Sequence, residues 1–364
     1  MQGAMLGPVQ FTLPNGKIAE PLYISPWQGE ATAEDTATID PPVLQPLRGD
    51  FFCCPFGGDN TVGAEHHPPH GEAASRDWTF TSLQNTPDAT VLTLDLDYRA
   101  CAGSVTREIH WGNNAPTILS RTTLSGFDGD YPLGYHATLH GGSEGTWKLY
   151  TDSFDIALTS PDATAPMVGG EYYALAPNSS FTSLSEVPSR WKDPATVDCS
   201  VFPARPGFVD IFALWRRRAP TASLIERLSW TVAVNRLEQY AWYSLKDASV
   251  LPATVFWWEH GGRHAPPWSG RNSCLGIEET CTYFASGRRE SIAPNSISQS
   301  GIPTAVHLSR DRPTTVWSVQ GVIPWPNVDV AVVALTMDAA GTLMFVGEQG
   351  EQIPVPFDLR CVGE

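Results

Sequence analysis

The chain has 364 residues, 42% of them hydrophobic, with 13 Trp, 15 Phe and 10 Tyr, so it can build a large core. Its formal charge of −16 repels phosphate backbones and anionic lipid, which argues against nucleic acid or a membrane surface as partner. Seven cysteines, with Cys53 and Cys54 adjacent and no Cys-x-x-Cys pair, fit neither a secreted disulfide framework nor a paired-cysteine zinc site. The opening "MQGAMLGPVQFTLPNG" lacks a basic stretch followed by an apolar one, and no apolar run reaches the roughly 18 residues of a membrane span. A cytoplasmic protein is expected.

In chain order, residues 1–45 read as lead-in strands that close on the proline-rich "DPPVLQPLRG". The next stretch, "CCPFGGDNTVGAEHHPPHGEAASRDW", gathers His66, His67 and His70 among prolines and glycines. "TVLTLDLDY" then alternates Leu92, Leu94 and Leu96 with Thr93, Asp95 and Asp97, the pattern of a half-buried antiparallel strand. Further short apolar or alternating runs follow: "GTWKLYTDSF", "GFVDIFALW", "LSWTVAVN", "ATVFWWEH", "TTVWSVQGVI", "VDVAVVALTM" and "GTLMFVGEQG". "RLEQYAWYSLKDA" suits a helix by spacing and a strand by composition, and stays open. With 31 Gly and 31 Pro and no repeat or linker, residues 1–364 are expected to form one all-β domain, a large sandwich or barrel.

The histidine-rich loop admits three readings. Imidazoles this close could hold zinc or iron, as in a metal-dependent β-barrel enzyme, but Pro68 and Pro69 break the extended strand that such a site needs. A rigid polar turn is the plain alternative. The third reading comes from "HPPHG", followed by "EAASRDW", which resembles a His-Gly…Trp motif of the aldose 1-epimerase, or galactose mutarotase-like, superfamily. "LRGDFFCCPFGG", "YPLGYHATL", "GFVDIFAL" and "CLGIEET" fall in that superfamily's order, the first with features of its hexose-6-phosphate branch.

The resemblance implies a super-sandwich of antiparallel sheets that interconverts sugar anomers with no cofactor or metal. It implies Glu278 as general base and His136 as general acid, on opposite edges of the sugar ring. His70, Arg48 and Asp210 would hold hydroxyls or a charged substituent, and whether Arg76 or Arg263 contributes stays open. In "FWWEHGGRHAPPW", Trp257 and Trp258 point to opposite sides of a strand, so one at most lines a sugar site, and Trp258 is assigned to it. Each residue also has a structural reading: Asp210 could pair with Arg216, His136 could be a hydrogen-bonded core residue, and Arg48 could cover apolar surface. The expected partner is a monosaccharide or sugar derivative, bound by a monomer or homodimer. A non-catalytic sugar-binding protein on the same fold is the alternative.

Overall fold

A computed structural model of the chain describes residues 1–29, 38–113 and 115–362. Residues 30–37 of the expected lead-in lie outside them. Among the described residues two antiparallel sheets dominate. The larger runs in the order Val201–Phe202, Trp147–Thr151, Leu228–Asn235, Tyr240–Asp247, Thr314–Pro324, Thr117–Ser125, Ser104–Gly112, Ala89–Asp97, Thr79–Asn85. The smaller runs Ile156–Thr159, Phe208–Trp215, Ala253–His260, Ser273–Cys281, Leu133–His140, Phe52–Cys53. Helix is confined to short turns, and no described helix is long and apolar enough to cross a membrane. The all-β expectation holds.

The sheets pack face to face as strand alternation dictates. Phe256, Trp258, Leu275 and Ile277 of the smaller sheet share one apolar cluster with Ala233, Tyr240 and Trp242 of the larger. The open segment resolves as the strand Tyr240–Asp247, every residue of which is buried. Tyr240 and Trp242 face the smaller sheet, while Ala241, Tyr243 and Leu245 meet a third sheet, Val332–Met337, Leu343–Gly347 and Gln352–Pro354, through Phe345. A strand covered on both faces loses its alternation, which is why its sequence also suits a helix.

In the smaller sheet the alternate residues face away from the larger one. On that outer face Val209, Trp257 and Cys274 cluster with Trp27, Val43, Leu47, Phe51 and Trp268, contributed by the N-terminal region and a late loop.

Candidate functional site

A cavity opens on this outer face, lined by Val43, Leu44, Leu47, Phe51, His70, His136, Ile211, Trp257, Arg263, Trp268, Glu278 and Ala285. Strand register builds its floor. His136 lies directly opposite Glu278 across the pair Leu133–His140 and Ser273–Cys281. Residues facing each other in an antiparallel pair share a face, and Nε2 of His136 stands 3.2 Å from Oε1 of Glu278. At Gly276, two residues earlier on that face, a Cβ would meet Glu278 Oε1 at 2.7 Å and Trp257 Cβ at 2.9 Å. The glycine gives the carboxyl room to turn toward the histidine.

The floor is dry. Burial raises the Glu278 carboxyl well above its ordinary 4.5, with Arg263 opposing only in part. Burial, reinforced by neighbouring His70, drives His136 well below 6.5. Both shifts favour neutral groups, a Glu278 carboxyl beside an uncharged His136 whose Nδ1 lies 3.2 Å from Thr138 Oγ1. The ring of His136 also stacks on Phe51 at 4.6 Å.

His70 enters from the histidine-rich loop. Its φ is +60°, and Gly71 follows at +78° where a Cβ would come within 1.9 Å of the Cys54 carbonyl oxygen. Only glycine permits that close approach, and it turns the His70 ring to 5.1 Å from His136. His70 is pushed down to about 4 by burial and by Arg263. Its loop-mates go elsewhere: His66 is exposed, and His67 Nε2 lies 3.2 Å from Glu65 Oε2. Among the described residues one group has metal-ligand spacing, Glu65, His67 and Cys101 within 4.8 Å. There Glu65 already accepts from Tyr131 and Arg288.

Arg263 forms a wall. Its guanidinium carbon lies 5.2 Å from the Trp257 ring centre and 5.0 Å from that of Trp268, and Nε is 3.0 Å from Glu171 and 3.7 Å from Glu259. A turn through Gly261 and Gly262 at the end of the strand Ala253–His260 carries Arg263 to the pocket beside Trp257.

Three expected site residues lie elsewhere. Trp258 faces the interior between the sheets, 5.6 Å from Phe202, and Trp257 takes the pocket side. Asp210 shares the interior face of its strand. Its Oδ1 accepts from the backbone N–H of Ala174 and Leu175, and its other oxygen is 3.4 Å from Arg205, whose guanidinium lies over Trp258. The buried charge is paired, but by Arg205, since Arg216 is held by Asp152. Arg48 lines no wall of the cavity; it donates to the carbonyl of Pro46 and to Gln28, tying down the lead-in. Arg76 is taken by Glu72 at 2.6 Å. The opposite-edge arrangement of base and acid also gives way, because register puts Glu278 and His136 in contact on one side of the cavity.

No protein-family model matches the sequence, and no curated protein matches it. Solved structures do share the fold. YeaD of Salmonella typhimurium, provisionally named a mutarotase, superimposes with a TM-score of 0.51 at 12% identity over 84% of this chain and 80% of its own. A provisionally named aldose 1-epimerase of Escherichia coli K12 gives 0.52 at 11%, over 87% of this chain and 99% of its own. Another from Klebsiella pneumoniae gives 0.52 at 12%, over 81% and 69%. The chain therefore has the galactose mutarotase-like fold.

Proposed function

We propose that the protein interconverts the anomers of a cyclic hemiacetal sugar, with Glu278 and His136 moving the protons. The contact between these two residues on the cavity floor carries the reading. Glu278–COOH beside neutral His136, and Glu278 carboxylate beside imidazolium, hold the same number of protons and differ only by a transfer along that contact. The second form supplies what ring opening needs. The carboxylate takes the O1 proton as the C1–O1 double bond forms, and the imidazolium gives its proton to the ring oxygen as the C1–ring-oxygen bond breaks. Rotation about C1–C2 and the reverse transfers close the ring with C1 inverted. Both oxygens sit on C1, so a pair on one side of the sugar can reach both. No step requires a metal or cofactor.

In this reading His70 orients the anomeric end and Trp257 covers a face of the ring. The reading treats the chain as one sandwich unit. All seven cysteines are unpaired, which suits a reducing, cytoplasmic setting. A non-catalytic sugar-binding protein remains the second reading, favoured by the fact that Glu278 and His136 are in contact with each other on one side of the cavity. The experiment is anomer exchange measured by NMR on a sugar panel, with wild type against Glu278→Gln. Turnover should fall by about 10²-fold in the variant while binding persists. Equal exchange rates in the two proteins would remove Glu278 from the chemistry, and binding without exchange in wild type would favour the second reading.

A further inference from the structure

The composition of the cavity wall restricts the ligand beyond "a sugar". Eight of its twelve lining residues are apolar, and its free volume is about 90 Å³, against roughly 300–1,000 Å³ for common ligand pockets. The four polar ones, Glu278, His136, His70 and Arg263, stand together, with His136 3.2 Å from Glu278 and 5.1 Å from the His70 ring. Part of their polar capacity is already engaged: His136 Nδ1 with Thr138 Oγ1, His70 Nδ1 with the Cys53 thiol, and Arg263 in ion contacts with Glu171 and Glu259 that leave its buried Nε without a hydrogen-bond partner. What remains can serve one edge of a ligand. The other walls, among them Leu44, Leu47 and Ile211, are apolar, and the indole N–H groups of Trp257 and Trp268 are the polar side-chain atoms they carry. A hexopyranose carries a hydroxyl on nearly every ring carbon, and each one buried against such a wall loses its water without replacement.

We infer that the cavity takes a neutral, sparsely hydroxylated cyclic hemiacetal, of the 6-deoxy- or dideoxyhexose class, with its anomeric edge on the Glu278–His136 floor and its deoxygenated carbons against the apolar wall. The ligand is uncharged because Arg263, the cavity's guanidinium, is matched by two carboxylates and lies against two indoles. This inference rests on the mutarotase reading of the same site.

The test is calorimetric titration of the purified chain with hexoses, their 6-phosphates, 6-deoxyhexoses and 3,6-dideoxyhexoses, with anomer exchange followed on the same panel by NMR. Affinity should rise about tenfold for each hydroxyl removed from the end remote from C1, the scale set by an unmatched buried hydroxyl. Leu44→Asn, on a half-buried wall position, should shrink that preference by supplying a polar partner. Parent hexoses or phosphates that bind as tightly as the deoxy sugars, no binding by any of them, or a preference unchanged in Leu44→Asn would overturn the ligand class. Deoxy sugars that bind but do not exchange anomers leave the ligand class standing and sink the mutarotase reading. Exchange of all hexoses with equal affinity does the opposite.

Discussion

Glu278 and Glu279 are consecutive on one strand, equally buried, and live in opposite worlds because the sheet has two faces. Glu279 points between the sheets, where Lys246 Nζ stands 2.5 Å from it and Ser244 and Thr254 donate to it at 2.6 and 2.8 Å. Burial alone would raise its pKa, but Lys246, with Ser244 and Arg216, holds it below 4.5. Lys246 in turn is lowered to about 8 by burial. Glu278 points into the cavity, meets an uncharged imidazole, and is raised. One face compensates its charge with a buried cation; the other leaves a carboxyl that Arg263 compensates only in part, as in sites that move protons.

The sharpest way to break this contrast is Glu279→Ala. Lys246 would be left buried without its counter-ion, at a cost of about 3–5 kcal/mol in denaturant unfolding. Joint replacement by Lys246→Met and Glu279→Leu should recover most of it. A single variant as stable as wild type would mean that the interior pair does not matter.

Next in size is the response to pH, which should carry opposite signs on the two faces. Glu279, held below 4.5, contributes stability that is present above that value and disappears as pH falls through its lowered pKa. Glu278, held above 4.5, favours folding in its protonated form. Its contribution is complete below 4.5 and is lost as pH climbs through its raised pKa. Melting temperature against pH should therefore flatten on the acid side in Glu279→Gln and on the alkaline side in Glu278→Gln. The same side flattening in both variants would contradict the assignment. Turnover should hold over a broad plateau bounded by the pair's two apparent pKa values, the lower displaced below 6.5 by His136 and the upper above 4.5 by Glu278.

Gly276→Ala sharpens the comparison at smaller scale. The added methyl pushes on Glu278 and Trp257 and leaves Glu279 untouched, so turnover should drop about tenfold through misplacement of the carboxyl. An unchanged rate would show that the glycine is not needed for the pairing. The smallest effect is expected for Arg48→Lys, which lies outside the cavity. Sugar affinity should stay constant and stability should change by about 0.5 kcal/mol. Weakened binding of anionic sugars alone would return Arg48 to the site.

The sheet content was legible because half-buried strands such as Ala89–Asp97 keep Leu94 and Leu96 buried on one face. Glu278 and His136 were legible through the order of short motifs, but their mutual contact was not. Contact depends on register between strands far apart in sequence, and a shift of one residue would turn Glu279 toward the cavity. The same parity problem explains the two tryptophans. Alternation says that Trp257 and Trp258 part company, and only the packing of the two sheets says which one goes inside. Asp210 is named by the motif "GFVDIFAL", which marks a charge in an apolar strand but not the partner that meets it. Its partner Arg205 stands in the turn "PARPG" that leads into that strand, and strand alternation does not show that this turn folds back to lay the guanidinium over Trp258. The signal for Arg263 was present in "WWEHGGRH", where two glycines after a strand allow the chain to fold back over its own aromatic face.

The indoles around the cavity give the molecule its own optical reporter. Trp268 lies 5.0 Å from Trp27 and 5.6 Å from Trp257, edge to face in both cases, and the Arg263 guanidinium sits over two of the three. Emission from such a cluster depends on the charge beside it and the water it can reach. A ligand that displaces solvent from Trp257 and Trp268 writes its arrival into the fluorescence spectrum with no label attached.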